Sequence, residues 1–211
     1  MPDKKLFLLD AMALIYRAFY ALNKNPRINS KGVNTSAILG FANTLFDVLK
    51  SEKPTHIGVA FDTHAPTIRE GNFAAYKAQR QETPEDLLRS IPYIMELIEA
   101  FRIPLLMVDG YEADDVIGTL AKKAEEAGFQ TFMMTPDKDF GQLVSAKTLI
   151  YKPAKFGNPA EIWGPAQVCE RFGIERPDQV KDILGLWGDA SDNIPGIPGV
   201  GEVIFRFDSG R

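Results

Sequence analysis

A mostly parallel, doubly wound α/β sheet flanked by helices is the architecture that this sequence predicts. Two patterns carry that prediction. Short apolar runs that fit buried strands alternate with longer stretches of helical periodicity, as in sheets built from crossover units. Several of the short runs also stop on an acidic residue, which puts carboxylates at the carboxyl edge of the sheet, where open α/β sheets hold their ligands. The chain has 211 residues, 45% of them apolar, enough for one sizeable core.

Lys5 to Asp10 is apolar on both faces and too short for a helix, so it reads as a buried strand ending on a carboxylate. Ala11 to Leu22 follows as a largely apolar helix, closed by Asn25-Pro26, on which Arg17 reads as a surface cation. After a polar loop over Arg27 to Thr35, Thr35 or Ser36 can cap a helix to Leu49 with Ile38, Phe41, Leu45, Val48 and Leu49 on its apolar face. Ile57 to Asp62 repeats the opening pattern of a short strand that stops on Asp.

Thr63 to Thr83 has no convincing apolar face and interleaves Arg69, Tyr76, Lys77 and Arg80 with Phe73. Two readings stand: a solvated helix, or a mobile arch whose cations meet phosphates and whose aromatics meet bases. Thr83 as N-cap with Pro84 in the first helical position opens the next helix, with Leu87, Leu88, Ile91, Ile94, Met95, Leu97, Ile98 and Phe101 as its core stripe.

Ile103 to Val108 predicts a third strand, Asp114 to Ala127 a helix ended by Gly128, and Phe129 to Thr135 a fourth strand. Asp137 and Asp139 would project the same way if the chain stayed extended there. A fifth strand fits Lys147 to Lys152, a turn fits Phe156 to Pro159, and two helices start near Pro165 and Pro177.

A net charge of −4 and a pI near 5.3 do not advertise nucleic-acid binding. Up to Asp62, however, the chain is locally basic, eight Lys and Arg against five acids. Cys169 stands alone and so forms no disulfide within the chain, which fits a reducing compartment. The N-terminus lacks the apolar core of a signal peptide and no stretch approaches the length of a membrane span, so a soluble cytoplasmic protein is expected.

Glu112, Asp114 and Asp115 put three carboxylates into four positions at the mouth of a helix. Acids favour a first helical turn, and capping alone could account for one or two of them. Asp10, Asp62 and Asp137 sit at three other strand ends, however, and capping does not explain a coincidence over four strands. Carboxylates without His or Cys suit hard cations such as magnesium or manganese, and several together suit two ions on one phosphate. The sequence contains no phosphate-binding loop of P-loop type and no Ser-His-Asp pairing, and His56 and His64 have no evident partner.

These motifs resemble the flap endonuclease family, whose bacterial branch includes the N-terminal 5′ to 3′ exonuclease domain of DNA polymerase I. The resemblance rests on Leu8-Leu9-Asp10 with Tyr16-Arg17, Phe61-Asp62 with Pro66-Thr67 and Arg69, Tyr76-Lys77-Ala78-Gln79-Arg80, and Tyr111-Glu112-Ala113-Asp114-Asp115. It continues through Thr135-Pro136-Asp137-Lys138-Asp139, Gly188-Asp189 with Ser191-Asp192-Asn193, and Pro195-Gly196 to Gly199-Val200-Gly201-Glu202, spanning nearly the whole chain.

The resemblance implies a PIN-like nuclease core over 1–175, an arch over about 63–83, and the start of a helix-hairpin DNA-binding subdomain over 176–211. It implies a catalytic ion among Asp10, Asp62, Glu112 and Asp114, a second toward Asp137, Asp139 and Asp189, and Asp115 and Asp192 as additional acids. Lys77 and Arg80 are expected to steer the scissile phosphate, with Arg17, Arg69, Tyr76, Gly199 and Gly201 as DNA contacts and potassium at a complete hairpin. The implied reaction is two-metal hydrolysis of DNA, or of an RNA primer, near a 5′ end or flap, by a monomer normally joined to a polymerase.

Two features depart from the family pattern. Ile68 and Glu70 flank Arg69 where an aromatic and a His are the rule, and after Glu202 the chain runs Val203 to Arg211 and ends instead of continuing as a Lys-Thr-Ala type helix. A truncated fragment with little turnover and a related metal-dependent ribonuclease are the alternatives.

Overall fold

The computed structural model describes residues 4–63, 65–154 and 158–201. Six strands form its central sheet: β1 (Lys5–Asp10), β2 (His56–Ala60), β3 (Leu105–Leu106), β4 (Gln130–Met134), β5 (Thr148–Lys152) and β6 (Glu161–Trp163). They lie in the order β3-β2-β1-β4-β5-β6, and all neighbours are parallel except β5 and β6. The winding direction reverses between β1 and β4, so their carboxyl ends flank the crevice where such sheets bind ligands.

Alternation along β1 sends side chains to two separate cores. Phe7 and Leu9 pack with α1 (Ala11–Ala21), α2 (Ser36–Asp47) and α4 (Glu85–Ala100) through Leu14, Ile15, Phe41, Leu45, Leu87, Ile94 and Ile98. Leu8 packs on the opposite face with α5 (Ala113–Glu126), α6 (Pro165–Phe172) and α7 (Val180–Trp187) through Ile117, Val168, Val180 and Ile183. Each such large side chain contributes roughly 1.5–3 kcal/mol by leaving water. The short helix α3 (Ile68–Asn72) buries nothing and belongs to the segment that crosses the carboxyl edge.

Several expectations need correction. Thr83 does not cap α4, because its hydroxyl pairs with the Tyr16 phenol at 2.6 Å, and the helix starts at Glu85 with Pro84 in the cap position. Thr35 sits at the N-cap of α2, yet its hydroxyl donates to the Arg27 carbonyl instead of capping. The expected helix to Leu49 changes to a π-helical turn at Val48. Leu88 and Phe101, assigned to the core stripe of α4, are 48% and 37% exposed.

The third strand shrinks to Leu105–Leu106 at the sheet edge, where Met107 and Val108 face solvent. The chain does not stay extended past Asp137: Lys138 turns helical and a 3₁₀ turn runs over Asp139–Leu143. The antiparallel β6 and the hairpin of β7 (Gly188–Asp189) and β8 (Ile194–Pro195) were not anticipated. His64, the first part of the expected turn at Phe156, Glu202 and the tail over 203–211 lie outside the described residues.

Candidate metal centre and its arch

Asp10 ends β1 and caps α1, accepting from the Ala13 amide at 3.1 Å and from the Thr135 hydroxyl at 2.9 Å. Burial pushes its carboxyl up to about 6, assisted by the charges of Asp62 and Asp137 and opposed by those two hydrogen bonds. Three strand ends thus bring their acids within electrostatic reach. Asp62 also accepts from the Ala113 amide at 2.8 Å, which docks the N-terminus of α5 against the end of β2.

A second group lies at the start of α5. Glu112 is 6% exposed, and Asp115 accepts from the Glu112 amide at 3.1 Å. Burial raises Asp114, as do the charges of Asp115 and Glu112, while Arg69 opposes the rise.

A third group follows β4 and β7. The Asp139 amide donates to Asp137 at 2.9 Å, and burial together with the charges of Asp137, Asp189 and Asp192 pushes Asp139 up to about 6. Burial would raise Asp189 as well, but the hydroxyl and amide of Ser191 hold it below the usual range. A cleft of about 290 Å³ lined by Arg69, Asp114, Asp115, Asp139 and Phe140 joins the second and third groups.

Gly188 and Gly196 fix the hairpin that carries Asp189 and Asp192. Gly188 has φ +73°, and a Cβ there would stand 2.2 Å from the Gly196 nitrogen; one on Gly196 would stand 2.1 Å from the Trp187 carbonyl oxygen. Gly188→Ala is therefore expected to cost about 3 kcal/mol or more, read as a lower urea midpoint. An unchanged midpoint would show that the hairpin gives way easily.

The segment between β2 and α4, expected as the arch, lies against these acids. Arg69 donates to Glu112 at 2.8 Å and to Asp114 at 3.4 Å, and it grips Asp115 with two nitrogens at 2.9 and 2.6 Å. Asp114, Asp115 and Glu112 raise its guanidinium against the lowering effect of burial. Lys77 meets Glu112 at 2.7 Å, and Arg80 meets Asp192 at 2.7 Å. The Tyr76 hydroxyl lies between Glu112 and Asp192, 3.1 Å from each. Burial and those two charges raise the phenol, so it stays protonated and donates.

All nine predicted acids therefore lie in linked groups at the carboxyl edge, together with Arg69, Tyr76, Lys77 and Arg80. Arg17 does not join them. Its guanidinium donates to the carbonyls of Pro153, at 3.2 Å, and Ala154. Gly199 adopts φ +82° in a turn closed by Val200 N–H to the Ile197 carbonyl at 3.0 Å, and Gly201 follows it. Sequence reasoning missed Thr135, Ser191, Gln79 and Asn193 as working residues, although each lies inside a quoted motif. Their hydrogen bonds are set by loop geometry that no periodicity reports.

The donor set suits hard divalent cations, being all carboxylate oxygen. One oxygen of Asp139 is buried without a hydrogen-bond partner among the described residues, as an unused ligand would be. As the side chains stand, no three acids among the described residues converge on a single ion position. Arg69 and Lys77 instead supply the positive charge that the cluster needs.

Residues 5–173 match the family model described as the 5′-3′ exonuclease, N-terminal resolvase-like domain. The chain belongs to this family. It is 47% identical over 212 residues to DNA polymerase I of Bacillus subtilis, covering 98% of this chain and 24% of that protein. It is 44% identical over 198 residues to a 5′-3′ exonuclease of Aquifex aeolicus, covering 94% of this chain and 66% of the relative. The chain thus spans about a quarter of the DNA polymerase I relatives.

Among solved structures, the bacteriophage T5 flap endonuclease in a pseudo-enzyme-product complex with DNA and metal ions superposes with a TM-score of 0.74 at 19% identity. That match covers 95% of this chain and 72% of the phage protein. T5 5′-exonuclease with bound zinc gives 0.73 at 20% identity, covering 96% and 75%. At those identities the likeness establishes the flap-nuclease fold. No helix among the described residues is long and apolar enough to cross a membrane.

Proposed function

We propose that this chain is a metal-dependent 5′ nuclease module that hydrolyses DNA phosphodiesters near a 5′ end or flap with two divalent cations, magnesium or manganese. The observation that carries this reading is the gathering of nine carboxylates from five chain segments beneath a cationic arch, in a chain of the 5′-3′ exonuclease family. Asp10, Asp62, Glu112 and Asp114 would hold one cation, and Asp137, Asp139 and Asp189 the other, with Asp115 and Asp192 beside them. Bound there, the cations would lower the pKa of a water and offset charge on the phosphodiester.

The chain's own residues do the rest. Lys77 and Arg80 leave their carboxylate partners for the phosphate oxygens, where fixed cations act most strongly as charge develops. Thr135 keeps the Asp10 carboxylate aimed. Tyr76 stands between Glu112 and Asp192 and offers its one proton to either. Residues 176–201 begin the part that meets duplex backbone, with Gly199 and Gly201 presenting amides to phosphates. In a longer chain, like that of the DNA polymerase I relatives, the module would work beside a polymerase, as a monomer, on displaced DNA or RNA-primed ends.

The test is incubation with magnesium and a labelled 5′-flap DNA, alongside the RNA equivalent and a chelator control. Cleavage of the DNA flap that stops in chelator is the expected result. Undiminished cleavage in excess chelator would overturn the metal assignment, and no cleavage at any magnesium concentration would overturn the nuclease reading.

A further inference from the structure

The ion pairs between arch and acids cannot set the arch's register alone, because long cationic side chains reach carboxylates from many backbone positions. A second set of contacts is neutral and short-ranged. Asn193, two residues past Ser191 in the β7–β8 hairpin, donates its side-chain amide to the Ala75 carbonyl at 2.7 Å and accepts from the Gln79 amide at 2.7 Å. Between them, the Lys77 amide donates to the Asp192 carbonyl at 3.0 Å. Asn193 and Lys77 both hold left-handed backbone, φ 58° and 56°, a conformation that Asn tolerates far better than most residues.

We infer that Asn193 is a positioning residue for the reaction proposed above: its side chain catches the arch at Ala75 and Gln79 and so fixes where Tyr76, Lys77 and Arg80 stand. Asn193 needs no contact with substrate to do this. The catch brackets Tyr76 and Lys77 and ends one residue before Arg80. Having no net charge, it also persists when cations or phosphates draw Lys77 and Arg80 off their carboxylates. The arch can then exchange ionic partners without losing its place.

This deepens the nuclease reading and rests on it, so the test has one arm that needs no cleavage of DNA. Asn193→Gly keeps the backbone conformation and deletes the side chain, whereas Gln79→Ala removes one bond from an exposed position. In metal-free protein, trypsin cutting after Lys77 and Arg80 reports the open population of the arch. A neutral hydrogen bond contributes about 1 kcal/mol, so Gln79→Ala should speed cutting about fivefold and Asn193→Gly roughly tenfold or more. In the double variant the Gln79 effect should vanish, since its partner is already gone.

On saturating flap DNA with magnesium, both variants should lower the single-turnover rate, Asn193→Gly by the larger factor, while the DNA Kd changes less than about threefold. A purely structural role for Asn193 predicts slower cleavage only in proportion to unfolded protein, with additive effects of the two substitutions. Unchanged trypsin rates, or additivity, would overturn the catch. If wild-type protein cuts no DNA, the nuclease reading fails while the trypsin arm still decides the catch.

Discussion

Asp10→Asn is expected to abolish flap cleavage while making the metal-free protein harder to unfold. The carboxyl is buried between the ends of β1 and β4, which with the lesser effect of the Asp62 and Asp137 charges lifts its folded value to about 6 from the ordinary 3.8. At 1.36 kcal/mol per pKa unit, keeping Asp10 ionised at neutral pH costs the metal-free fold on the order of 3 kcal/mol. For an acid raised in the folded state, stability falls as pH climbs from about 4 to about 6 and the deficit is complete above that. Asparagine removes that deficit and can still accept from the Ala13 amide, while Thr135 reverses its hydroxyl to accept. Melting in chelator should therefore rise by several degrees at pH 7.5 and much less at pH 4.5. A variant that melts lower at pH 7.5, or retains cleavage, would overturn the assignment.

Lys77→Ala is expected to act in two opposite directions. On saturating flap DNA it should lower the single-turnover rate by about 10²- to 10³-fold, because a fixed cation aimed at developing charge is worth that much in a dry site, while DNA affinity changes little. In the absence of DNA, however, Lys77 competes with divalent cations for Glu112, its partner at 2.7 Å. Its removal should therefore tighten manganese binding measured by calorimetry, several-fold at the least. Weaker chemistry with stronger metal binding is a combination that incidental surface charge does not give. A wild-type cleavage rate would make the arch cations bystanders.

Legibility in the sequence followed the range of the interactions involved. The strand ends at Asp10 and Asp62, and the acids opening α5, could be read because a buried parallel strand declares itself in a short unbroken apolar run, Leu6 to Leu9 and Ile57 to Phe61 here. The same logic failed at β3: Ile103 to Val108 is as apolar as its neighbours, but at the sheet edge only Leu105 and Leu106 find pairing partners. The 188–195 hairpin was invisible because Gly188 and Gly196 mark a close backbone approach, which has no period. Arg69 was expected as a DNA contact, but its grip on the acids of α5 had no local signature. Its carboxylate partners lie 43 to 46 positions away, and nothing local distinguishes it from a solvated arginine.

The β1–β4 pairing also has a kinetic consequence. Thr135 and Asp10 are 125 positions apart, and Asp137 meets Asp10 only once β4 lies against β1. Contacts that close so large a loop form late, so the burial of the Asp10 charge, and with it the lesser repulsion from Asp62 and Asp137, is mostly absent while the chain crosses its folding barrier. Neutralising Asp10 should then leave the refolding rate nearly untouched and slow unfolding, shifting one arm of the chevron. The charged centre would thus set how long the metal-free native state lasts, while the speed of its formation is left to the apolar strands.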